Sequence, residues 1–174
     1  MNWTELLKSE VKDAYHAAEG LVDLVDDDQL DWKPTTGDNW MTVGQLLKHL
    51  TMAGGGDFRG FVTGDWGMPE GADVAEMSAD DMLPAAEKLP AVGSVAEAKA
   101  LLAEGKQLAF DMLAQAGEER LATEPAPAPW NPTPMLLGHR LLQMVTHLNS
   151  HKSHLYYYLK LQGKPVHTGH LWGM

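Results

Sequence analysis

The chain has 174 residues, 44% of them apolar, with 24 acidic against 13 basic side chains and a net charge of −11. That length suits one domain spanning 1–174 with a real core, and the acidic balance, uncompensated by any basic patch, argues against a nucleic-acid partner. There is no cysteine, so disulfides and thiolate metal sites are excluded and only His, Asp and Glu remain to hold a metal.

The opening MNWTELLKSEVKDAYHAAEG lacks the basic-then-apolar pattern of a signal peptide, and no run reaches about eighteen apolar residues. A cytoplasmic protein with no membrane partner is expected. Leu7, Val11, Ala14, Ala18, Leu21 and Val25 recur at three- and four-residue steps and predict a first helix over 3–25. DDDQLDWKPTTGDNW then reads as a connector, its Asp run a solvated helix end.

Thr42 is an N-cap candidate for a second helix with Val43, Leu46, Leu50 and Ala53 on one side. Gly54, Gly55 and Gly56 weaken it, so it either continues to Phe61 or breaks there. Residues 64–93 are acidic and proline-punctuated and predict a long excursion with one short helix over 78–88. Ser94 and Glu97 form a capping-box pattern for a third helix, carried by Ala98, Leu101, Leu102, Gly105, Leu108 and Met112 until Gly117. TEPAPAPWNPTP is proline-rich. It ends in Thr133 as N-cap and Pro134 as first residue of a fourth helix, which runs to about Gln162 with Gly163 and Pro165 as its stop. Four amphipathic helices without strand-like alternation predict an all-α fold, most economically a four-helix bundle.

Three of the eight histidines fall within eight residues of the fourth helix. At about 100° per residue, His147, His151 and His154 lie near 0°, 40° and −20°, bordering an apolar stripe at about 60° to 120° made by Leu137, Leu141, Met144, Leu148, Leu155 and Leu159. His49 has the same edge position on the second helix. If those helices are neighbours, His49 meets the pair His147 and His151, whose four-residue spacing brings two imidazoles to one point. Three neutral imidazoles with an open position suit zinc in tetrahedral or five-coordinate geometry, or octahedral nickel or iron. His154 is the competing partner of His151, at i, i+3. Asp57, two turns beyond His49, is a candidate fourth ligand or hydrogen-bond acceptor for one.

LDWKPTTGDNWMTVGQLLKHL, with its Trp-Lys-Pro connector and terminal His, resembles the loop and second helix of the DinB-like (DinB/YfiT) family. HLNSHKSHLYYYLKLQGKPV is similar to that family's closing His-x-x-x-His-Arg-Gly-Gln helix and Gly-x-Pro stop, with Lys152, Ser153 and His154 in place of Arg-Gly-Gln. The resemblance implies an up-down-down-up four-helix bundle, a divalent metal (zinc or nickel first, iron or manganese next) on His49, His147 and His151, and a homodimer. It further implies an enzyme that joins a low-molecular-weight thiol, such as bacillithiol or mycothiol, to a small-molecule substrate. The alternatives are a metal-dependent hydrolase on the same ligands and a non-enzymatic metal-binding or scaffold protein.

Among the remaining polar groups, His16 and His139 read as exposed or packing residues. His167 and His170 either close over the site from the tail or belong to a packed, metal-free terminus. Trp40, Trp66 and Trp130 fall in connectors, as pocket walls or covers of the core edge.

Overall fold

The computed structural model describes residues 2–68 and 84–174. Among the described residues the regular elements are helical: α1 (Trp3–Val22), α2 (Val43–Met52), α3 (Gly55–Thr63), α4 (Val95–Thr123), α5 (Leu137–Leu161) and a short α6 (Thr168–Trp172). Strand-like pairing is limited there to two isolated bridges, Pro125 with Leu136 and Ala128 with Asn131. No described helix is long and apolar enough to cross a membrane.

α1 starts on an Asn2–Glu5 capping box and ends at Val22, short of the expected residue 25. The apolar stripe outlasts the helix, because Val25 is still buried although the chain has already tightened into i to i+3 turns at Leu24 and Val25. The glycine run does break the second helix. Ala53 turns extended, Gly54 takes φ 93, and α3 restarts at Gly55. A glycine is required at 55 for a different reason: a Cβ there would sit 2.1 Å from the Gly105 carbonyl oxygen of α4. Tyr15, fully buried on α1, pins this break by accepting a hydrogen bond from the Gly55 amide at 3.0 Å.

Most of the short helix expected over 78–88 lies outside the described residues, and its last part forms a single 3-10 turn, Ala86–Lys88. Only half of the capping box expected at α4 forms. The Ser94 hydroxyl accepts from the Glu97 amide, but the Glu97 carboxylate reaches the Gly93 amide instead of that of Ser94. α4 also outruns its expected end. Gly117 breaks the helical geometry at φ 67 and ψ 166, yet helix resumes to Thr123, where Leu121 is fully buried and Arg120 is held by Glu124 and the Val62 carbonyl.

α5 begins at Leu137, not at Pro134, and Thr133 does not cap it. The Ala126 amide donates to the Met135 carbonyl and the Leu137 amide to the Glu124 carbonyl, both at 2.8 Å, so this stretch is spent on extended pairing before helix can start. Arg140, 2% exposed, locks that pairing by donating to the carbonyls of Ala126 and Thr133. At the other end Gly163 takes the left-handed conformation expected of a stop, at φ 79.

The apolar stripes meet in one core that includes Leu7, Leu46, Leu50, Phe58, Leu102 and Leu141. α1 packs on α4 and α5, and α2 and α3 pack on both as well. This places the histidine edge of α2 beside that of α5.

Candidate metal centre

His49 is positioned by a short, well-anchored helix. Thr42 and Gln45 cap α2 reciprocally, and the Gln45 amide continues into the carbonyls of Ala86 and Leu89, which ties the helix start to the chain before α4. Val43, Leu46, Leu47 and Leu50 are buried in the core, and His49, at the edge of that stripe in the last turn, meets the α5 rings of His147 and His151. On α5 the stripe from Leu137 to Leu159 is buried, and the histidines project from its border.

The three imidazoles meet. Ring centroids are 4.2 Å apart for His49 and His151, 4.7 Å for His147 and His151, and 5.3 Å for His49 and His147. One ligating nitrogen from each falls within 4.8 Å of the others, and this is the metal-competent group found among the described residues. The Nε2 atoms of His49 and His147 are 3.3 Å apart. Two nitrogens bound to one tetrahedral zinc at roughly 2.0–2.1 Å stand about 3.3 Å from each other, so the pair has the spacing of shared ligation.

The electrostatics agree with neutral ligands. His147 Nδ1 donates to the Asp57 carboxylate at 3.1 Å, which leaves its Nε2 lone pair directed at His49. This is the carboxylate–histidine arrangement that orients metal-bound imidazoles. Burial, followed by the neighbouring His49, His147 and His154, holds the His151 imidazole down at about 3. Burial, and next the adjacent His147, lowers His49 as well. The buried Nδ1 of His151 has no hydrogen-bond partner. Two imidazoles that disfavour protons beside a third held by a carboxylate, with an unpaired buried nitrogen, fit a divalent cation.

Asp57 thus takes the acceptor role rather than that of a fourth ligand. The helix break makes this possible, since Asp57 lies in the first turn of α3, not two turns along a continuous α2. A cleft of about 310 Å³ opens on Asp57, with Lys48, Arg59 and Glu104 among its polar lining and Trp66 as an aromatic wall. His154 lies outside the ligand group, its exposed ring 5.3 Å from that of His151.

His167 and His170 do not close over the site. Each Nδ1 accepts a backbone amide of the C-terminal turn, the His167 ring from Gly169 and the His170 ring from His167. His139 is exposed, and His16 is an exposed donor to the Gly173 carbonyl. Trp66 and Trp130 stack edge-on with Phe61, and Trp40 leans on Tyr158, so all three cover core edges while Trp66 also walls the cleft.

Sequence reasoning missed Tyr15, which holds the backbone that carries Asp57, although its register on the α1 stripe was a signal. Burial first, opposed in part by the Gly55 amide, raises its phenol to about 12. It missed Lys152 as well, a charged residue buried on α5.

The sequence model of the DinB superfamily matches residues 10–155, from α1 through most of α5. No curated protein matches the chain in sequence. With the family model covering more than half of its length and both histidine-bearing helices, the chain belongs to the DinB superfamily.

Proposed function

We propose that this protein is a metal-dependent enzyme of the low-molecular-weight-thiol S-transferase type, with zinc or nickel held by His49, His147 and His151. The observation that carries the reading is the convergence of three imidazoles from two helices, with His147 oriented by Asp57 and with His49 and His151 disfavouring protons. A bound divalent cation would supply Lewis acidity, lowering the pKa of a thiol that reaches its open position. Asp57 fixes the tautomer and orientation of His147. The cleft beside Asp57 offers Lys48 and Arg59 as cationic groups and Trp66 as an apolar wall for an acceptor molecule. The chain has no cysteine, so the sulfur nucleophile comes from a diffusible thiol.

Within this reading α2 and α3 together act as the second helix of an up-down-down-up bundle, and the protein works as a cytoplasmic homodimer. The test is elemental analysis of protein purified without a His-tag, followed by thiol consumption with an electrophile such as a chlorinated aromatic. About one equivalent of zinc or nickel, with metal-dependent thiol loss, supports it. Metal retention with ester or amide hydrolysis and no thiol loss points to the hydrolase instead, and protein that retains no metal ends both.

A further inference from the structure

A second cleft, of about 310 Å³, lies between α1, α5 and the C-terminal turn, on the face of α5 turned to α1 rather than α2. Lys152 lines it. This side chain is 5% exposed, yet its ammonium makes no hydrogen bond or ion pair with any described residue; what it meets is the face of Trp172, 5.6 Å from the ring centre. With its stem buried, the ammonium opens on the cleft without a counter-charge, and a ligand that brings an anionic group supplies the missing partner. Asn149 stands beside it as a neutral hydrogen-bond donor.

The rim has the opposite sign. Glu10 and Asp13, three residues apart on α1, are exposed carboxylates that form no ion pair among the described residues. Together they repel a simple anion, while Lys152 repels a simple cation. A ligand that carries both charges satisfies the two ends at once. Ala14 and the Trp172 ring give the walls between them an apolar character.

We propose that this cleft binds a small zwitterion of the α-amino-acid type, its carboxylate on Lys152 and Asn149 and its ammonium toward Glu10 and Asp13. Trp172 forms the outer side. It is 67% exposed and belongs to the five-residue α6, held to α1 through the hydrogen bond from His16 to the Gly173 carbonyl.

The experiment is calorimetric titration of the full chain with L-leucine, N-acetyl-L-leucine, which lacks the ammonium, and L-leucinamide, which lacks the carboxylate. Saturable binding of L-leucine is expected, with both analogues roughly tenfold weaker or more. Lys152→Met, which keeps the apolar stem, is expected to lose L-leucine binding by a similar factor with an unchanged circular dichroism spectrum. Should that variant misfold, Trp172→Ala on the exposed tail is expected to weaken binding severalfold. The proposal is overturned by equal binding of N-acetyl-L-leucine and L-leucine, by binding that survives a folded Lys152→Met, or by no saturable binding of L-leucine, L-phenylalanine or glycine.

Discussion

The chain uses two pairs of closely spaced histidines in opposite ways. On α5, His147 and His151 keep nitrogens free of the backbone and aim them at His49, with a carboxylate behind one ring. In the C-terminal turn, His167 and His170 are similarly close, 4.1 Å between ring centroids, but both spend Nδ1 on backbone amides. Proximity of imidazoles is therefore not enough to leave their nitrogens available to a metal. What decides is whether the helix interior has already satisfied its own amides, as in the middle of α5, or whether a short turn draws on the side chains for its caps.

The contrast breaks most sharply at the ligands. His147→Ala should weaken zinc or nickel binding by roughly 100-fold or more, while His167→Ala leaves it within about twofold, as read by competition with a chromophoric chelator. Equal losses in the two variants would mean that the tail, not the α2–α5 cluster, is where metal binds. Asp57→Asn tests the next shell outward. It keeps the shape but not the charge behind His147, and a loss of roughly 10- to 100-fold in affinity is expected in the same assay.

A third way to sharpen the comparison is acid titration of metal-free protein. The folded-state pKa of His151 is depressed to about 3 and that of His49 is also lowered. The unfolded chain consequently binds more protons below its ordinary imidazole pKa of about 6.5, and stability falls as pH drops from there toward about 3. The urea midpoint should decline across that window, and His151→Gln should flatten the decline. A midpoint indifferent to pH in both proteins would contradict the burial assigned to the cluster. The smallest effect belongs to the tail: His167→Ala removes one cap from a five-residue helix and should cost at most about 1 kcal/mol of global stability, while speeding proteolysis near Trp172.

Several features follow from residue order alone. The three- and four-residue spacing of apolar side chains marks the long helices, since a helix buries one stripe whatever it packs against. The same arithmetic puts His49, His147 and His151 at the borders of their stripes, and the Trp-Lys-Pro and His-x-x-x-His motifs point to the DinB superfamily that the family model matches. Local signals also place the stop at Gly163 and the weak point at the glycine run. The starts at Trp3, Val43 and Val95 were legible as well, but that of α5 was not. Pro134 is a good first helical residue in isolation, but pairing with residues 124–126 and the buried Arg140 outcompetes it.

Only the tertiary structure decided the rest. That α2 lies beside α5, so that two edges become one cluster, depends on packing between segments about a hundred residues apart, which no local pattern encodes. The role of Asp57 depends on a helix break that Tyr15 and Gly105 hold from other helices. The caps on His167 and His170 and the burial of Lys152 are likewise set by what surrounds them. Periodicity says which side of a helix is buried; which lone pairs and charges remain unspent depends on the neighbours that arrive there.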